Sequence, residues 1–307
     1  VEYGPDRATP KETAPTPMSF SSIAIFSPGL LGGSLALAIR ERLLGVKIRV
    51  WARREESVAR VLAMEIADVA STDAAVIAEE ADLILFCMPV GAMLKVAEEI
   101  ADSVKPTAII TDVGSVKAIV MEMLAPVFKG KAEFIGSHPM AGSELTGLDA
   151  ARADLFDGAV TILTPDPWSR KTAVSALASF WETVGCRVVT SSATAHDEGV
   201  ALISHLPHLA AAVLVQTVMR ENPAALDWRG KGFLDTTRVA AGPAPMWAEI
   251  LTENREALKK GIHAMIENLT EVTKLLESKE TAVLEQYLAE AMHTRKRLKH
   301  KEPKSIS

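Results

Sequence analysis

The chain has 307 residues, enough for two domains with sizeable cores. Lys and Arg number 33 against 39 Asp and Glu, and a net charge of −6 argues against nucleic acid or an anionic membrane surface as the main partner. Cys87 and Cys186 stand outside any CxxC pair, and no apolar run is read as approaching the roughly 20 residues of a membrane helix; a reducing, cytoplasmic setting is expected, with no disulfide framework and no metal site.

Residues 1–20 carry Pro5, Pro10, Pro15 and Pro17 among polar and charged residues and lack the apolar segment of a signal peptide; they read as a disordered tail or as leftover sequence upstream of Met18. Ser22-Ile23-Ala24-Ile25-Phe26 then predicts a strand, residues 27–34 a glycine-rich turn, and residues 35–44 a helix. Strand, glycine turn and helix suit a dinucleotide, because backbone NH groups and a helix N-terminus can face its pyrophosphate. Ser27, Gly29, Leu30, Leu31 and Gly32 are the candidate residues for that contact, with Ser27 standing where the G-x-G-x-x-G pattern has its first glycine. The second predicted strand, Ile48-Arg49-Val50-Trp51, leads into Arg53 and Arg54, where an acidic residue would ordinarily bind a ribose. Arginines there favour the 2′-phosphate of NADP, while Glu55 or Glu56 reaching a ribose hydroxyl would keep NAD open.

Residues 83–88 and 108–113 are apolar enough for strands buried on both faces, and residues 133–135 read as a further strand. Helices are expected near residues 73–80, 90–103 and 116–127. This alternation predicts a doubly wound parallel sheet whose carboxyl edge binds the ligand. That edge would gather the glycine turn, the arginines, Met88, Pro89, Asp112, Ser115 and His138; Met88, Pro89 and Asp112 therefore join the cofactor candidates. His138 lies within Gly136-Ser137-His138-Pro139-Met140-Ala141-Gly142-Ser143-Glu144, where small neighbours admit close approach to an imidazole that can move a proton.

A helix is expected over residues 171–184, and Arg187-Val188-Val189-Thr190 as the last strand of the first sheet. From residue 194 onward helical spacing dominates, over 201–219, 246–276 and 281–298. The expected division is a nucleotide domain over 21–192, a helical domain over 193–300, and a tail over 301–307. The apolar faces of such long helices need a partner, and a homodimer supplies one. The basic residues 295–301 read as a solvated helix end. Two polar clusters occur in this half. His196-Asp197 is followed by Ser204-His205-Leu206-Pro207-His208, where cleft lining, structural roles and a metal pair without a third ligand are all conceivable. Gly230-Lys231-Gly232-Phe233-Leu234-Asp235-Thr236-Thr237-Arg238 offers a guanidinium that could grip a carboxylate or serve as an ordinary surface ion.

Taken in order, the turn ending Gly29-Leu30-Leu31-Gly32-Gly33-Ser34, Asp112-Val113-Gly114-Ser115-Val116-Lys117, the segment 136–144, Ser204-His205-Leu206-Pro207-His208, Phe233-Leu234-Asp235-Thr236-Thr237-Arg238 and Met246-Trp247 resemble the prephenate/arogenate dehydrogenase family of tyrosine biosynthesis. Ser27 is the clearest departure from its pattern. The resemblance implies a Rossmann-type doubly wound, mostly parallel sheet followed by an all-α dimerisation domain, with the site in the cleft between them. It implies NAD(P)-dependent oxidative decarboxylation of prephenate or arogenate, with His138 as base and Ser115 orienting the substrate hydroxyl. Arg238 would hold a substrate carboxylate, His208, Glu144 and Trp247 would line the pocket, and Asp235 would orient Arg238. Two rivals stand beside it: another two-domain hydroxyacid dehydrogenase, which would use a lysine such as Lys231, and a nucleotide-sensing module without catalysis.

Overall fold

Alternating side chains along two short strands organise the first half. In a computed structural model describing residues 20–143 and 145–298, β1 (Ser22–Phe26) lies parallel to both β2 (Lys47–Trp51) and β4 (Leu83–Phe86). Ile23, Ile25, Leu83 and Leu85 point into one core, and Ala24, Phe26, Ile84 and Phe86 into the other. Burial on both faces explains their continuous apolar sequence. Helices α1 (Leu30–Arg42), α2 (Glu55–Ala63), α3 (Ala74–Ala78), α4 (Val90–Ile100) and α5 (Ala118–Phe128) connect the strands. With β3 (Val69–Ser71), β5 (Ile109–Asp112) and β6 (Glu133–Phe134), the parallel sheet runs in the order β3-β2-β1-β4-β5-β6. Its order reverses between β1 and β4, opening a crevice at their carboxyl ends. The proline-rich tail, the residues after 298 and Glu144 lie outside the described residues.

The chain then departs from the expected course. β7 (Gly136–Pro139), β8 (Val160–Thr164) and β9 (Arg187–Thr190) form a second sheet, with β7 antiparallel and β9 parallel to β8. His138 therefore sits inside a strand, opposite Ile162, and β9 is not the last strand of the first sheet. The reason is β8, which no sequence signal announced: it separates β9 from β7 and takes the hydrogen bonds of both. Gly136 permits the step between sheets, because a Cβ there would collide with Thr164 and come within 3.1 Å of Lys117 Cδ. α6 (Lys171–Thr183) closes this side, its Trp181 Nε1 donating to Ser137 Oγ at 3.1 Å.

Beyond residue 192 the described structure is helical: α7 (Ala193–Val200), a π-helical turn (Ala201–His205), α8 (Leu206–Glu221), α9 (Lys231–Thr237), α10 (Ala244–Glu253), α11 (Arg255–Ser278) and α12 (Thr281–Leu298). The run expected over 246–276 is broken at Asn254, between α10 and α11. Contrary to the sequence expectation, Ala193–Glu221 is a continuous helical stretch of 29 residues, long and apolar enough to cross a membrane by length and composition. It nevertheless buries His196, Asp197, His205 and His208. The exposed apolar residues include Leu202, Ile203, Val213 and Leu214 here, Ile266, Leu269 and Leu276 on α11, and Leu288 and Met292 on α12.

Candidate active site

The glycine turn is built by two backbone constraints. Ser27 adopts φ +80°, a left-handed conformation costly for a residue with a Cβ, while its NH donates to Trp51 O at 3.0 Å. Gly29 NH donates to Ser27 O at 3.0 Å, and a Cβ on Gly32 would run into that same carbonyl. Gly29 has open space around it and caps α1 without a side-chain bond. The first-turn NH groups of a helix lack intrahelical partners, so the turn fits a pyrophosphate. Ser27, Gly29, Leu30, Leu31 and Gly32 all belong to it.

Arg53 and Arg54 are exposed just past β2. Glu55 is turned aside, accepting a bond from Thr72 Oγ1 at 2.7 Å, and Trp51 Nε1 donates to Thr72 O at 3.0 Å. Met88 is buried in the core and Pro89 is exposed immediately before α4. Asp112 is held by contacts within the protein. Its carboxylate is fully buried, accepts from Gly114 NH at 2.8 Å and Ser137 NH at 3.2 Å, and pairs with the fully buried ammonium of Lys117. A buried charge must be compensated where it lies, so Asp112 braces the loop carrying Ser115. Burial pushes the Lys117 ammonium below its usual pKa, opposed by Asp112. Ser115 itself is half-buried on that loop.

His138 is buried, and its Nδ1 lies 2.8 Å from His196 Nε2. His196 Nδ1 is in turn 2.7 Å from Asp197 Oδ1. Asp197 accepts backbone bonds from Lys117 at 2.8 Å and Ala118 at 2.9 Å, tying α7 to the start of α5. Burial holds the His138 pKa well below the usual histidine value, with His196, Lys117 and His205 acting in the same direction, so the ring is neutral. His196 and Asp197 were visible in the sequence as a polar pair, but nothing in the spacing connected them with a histidine 58 positions earlier.

A second group of side chains adjoins this line. Asn254 Nδ2 donates to Asp197 O at 2.8 Å and lies 3.1 Å from Nδ1 of the fully buried His205. Burial pushes the His205 pKa down to about 4 and lowers that of His208. His208 stacks on Trp247 with ring centroids 3.5 Å apart and planes at 12°. Gly242 lies against this pair, where a Cβ would be 2.5 Å from Trp247 Nε1. Arg238 begins the short helical turn Arg238–Ala241 that leads to Gly242, and Asp235 is exposed one turn earlier on α9. The two halves are clamped by α10: Glu249 Oε1 accepts from Gly91 NH at 2.6 Å, and Ile250 packs in the core shared with Met88 and Val90. Neither Asn254 nor Glu249 carried a motif that could have singled it out.

The chain thus presents a glycine turn suited to a dinucleotide, a buried His138–His196–Asp197 line, and a stacked His208–Trp247 pair. Comparison with known proteins identifies the family. The family model for the nucleotide-binding domain of prephenate dehydrogenase matches residues 35–190, and that for its dimerization domain matches residues 192–292. The chain is 34% identical to the cyclohexadienyl dehydrogenase of Zymomonas mobilis over 91% of its own length and 97% of that protein's. Prephenate dehydrogenase from A. aeolicus, solved with hydroxyphenyl propionate and NAD+, superimposes with a TM-score of 0.86 at 29% identity, covering 92% of this chain and 99% of that one. Synechocystis arogenate dehydrogenase gives a TM-score of 0.80, also at 29% identity, covering 90% and 99% of the two chains. The chain belongs to the prephenate dehydrogenase family and is an NAD(P)-dependent oxidoreductase.

Proposed function

We propose that this enzyme converts prephenate to 4-hydroxyphenylpyruvate by oxidative decarboxylation, with His138 as the base. The observation that carries the reading is a buried imidazole, held by His196, on the strand that packs against β5 of the nucleotide-binding sheet. When bound, the nicotinamide supplies the hydride acceptor. His138 takes the proton of the ring hydroxyl as that carbon is oxidised, and loss of the ring carboxylate as carbon dioxide restores an aromatic ring. Ser115 orients the hydroxyl, and Arg238 holds a substrate carboxylate with Asp235 near it. His208 and Trp247 wall the pocket, and Glu144 belongs to the same proposed set. Ser27, Gly29, Leu30, Leu31 and Gly32 would hold the pyrophosphate.

NADP is the preferred cofactor in this reading, because Arg53 and Arg54 are exposed beside β2 while Glu55 is engaged by Thr72. The exposed apolar faces of α8, α11 and α12 support a homodimer through the helical half, and two free cysteines accord with a reducing, cytoplasmic setting. Arogenate is the second reading: it carries an ammonium where prephenate has a keto group, and the exposed Asp235 offers a carboxylate close to Arg238 in the chain.

One set of assays tests this. Purified enzyme is given each substrate with NADP and with NAD, alongside His138→Asn and Arg238→Gln. Prephenate with NADP should give the highest kcat/KM; His138→Asn should lower kcat about 1,000-fold, and Arg238→Gln should mainly raise KM. Near-normal turnover by His138→Asn would remove the base from the scheme, and a strong preference for arogenate would transfer the assignment to the second reading.

A further inference from the structure

A base works only if its reactive nitrogen is bare, and the surroundings of His138 determine which nitrogen that is. Asp197 accepts two backbone NH bonds besides facing His196. Burial works to raise its pKa, but His196 and the two NH groups outweigh it and hold the carboxyl below its usual value. An ionised carboxylate can only accept, so His196 must present Nδ1–H to it. A neutral ring protonated at Nδ1 has a bare Nε2. His196 Nε2 then accepts from His138 Nδ1–H across 2.8 Å, leaving the lone pair of His138 on Nε2.

We propose that His196 and Asp197 are positioning residues that hold His138 as its Nδ1–H tautomer, with Nε2 bare toward the substrate, and share the charge it acquires. The inference rests on reading His138 as the base. When the hydroxyl proton reaches His138 Nε2, the Nδ1 proton can pass to His196 Nε2. The protein has then gained one proton, and the positive charge lies on His196 beside the Asp197 carboxylate. A cation placed there is compensated by a carboxylate, whereas one confined to His138 faces the Lys117 ammonium. Asp197 also ties down the start of α5, so loss of activity in an Asp197 variant would not by itself separate the two roles.

Nitrogen-15 NMR of histidine-labelled wild-type protein at neutral pH, with His138 assigned from the His138→Asn spectrum, separates them without any substitution in the relay. The expected spectrum shows His138 protonated at Nδ1 and bare at Nε2; the opposite tautomer would overturn the proposal. Kinetics give a second reading. His196→Leu should lower kcat about 100-fold with KM within about threefold, and His196→Gln, whose Oε1 can still accept from Nδ1–H, should recover about tenfold. Equal rates for the leucine and glutamine variants would overturn the relay. If His138→Asn is inactive while His196→Leu turns over normally, the relay alone fails; if His138→Asn is fully active, the base reading fails with it.

Discussion

Ser27 shows how much a single backbone angle can carry. Its φ of +80° is the conformation a glycine would adopt freely, and its carbonyl lies where any Cβ on Gly32 would collide. Serine keeps the turn at a cost of about 1–3 kcal/mol. Ser27→Gly removes that cost but also gives the unfolded chain more freedom, worth about 0.4–1 kcal/mol in the other direction. The balance favours the glycine variant, with a melting temperature higher by about 2 °C. Differential scanning calorimetry checks this, and a lower melting temperature would show that the serine side chain contributes more than its strain costs. His138 and Asp112 make a contrasting pair at the same scale. Both are buried polar groups, yet Asp112 is engaged by Lys117 and two NH groups, whereas His138 Nδ1 meets the ring of another histidine, His196.

At the scale of elements, α10 joins the two halves through one polar contact and one apolar one. Glu249 accepts from Gly91 NH at the start of α4, and Ile250 enters the core beneath it. Glu249→Ala leaves that NH without its carboxylate and should destabilise the protein by about 1–2 kcal/mol, measured as a lower thermal midpoint. Ile250 should keep α10 seated, so far-ultraviolet circular dichroism should be unchanged; an unchanged midpoint would show that packing alone holds the helix. α7 is a second tie, because Asp197 reaches the backbone of α5 while its neighbour His196 reaches β7. A helix of the second half thus positions a side chain of the first.

For the whole molecule, buried neutral histidines make stability depend on pH. The His205 pKa is lowered to about 4 in the folded state by burial, with Asp197 opposing and His196 and His208 adding to the shift. In the unfolded chain a histidine titrates near about 6.5. Between those values the unfolded state binds a proton that the folded state refuses, so stability falls as pH drops from about 6.5 toward about 4, and this contribution levels off below. His138 and His208 act in the same direction. Thermal melts should therefore fall steadily across that window, and His205→Asn should reduce the slope. A melting temperature flat from pH 7 to pH 4.5 would contradict the burial of these rings.

The helical periodicity of residues 281–298 coincides with α12, and the apolar runs of β1 and β4 follow directly from burial on both faces of a sheet. Those features depend on neighbours a few residues apart, so the sequence alone determined them, as it did the glycine turn and the candidacy of His138. Partners distant in the chain were another matter. That β8 would pass between β7 and β9, that Asp112 would be spent on Lys117, and that His196 would meet His138 depended on contacts absent from local periodicity. Only the tertiary structure decided them, because hydrogen bonds and buried charges are satisfied by whatever groups the fold brings near, and sequence separation places no limit on which groups those are.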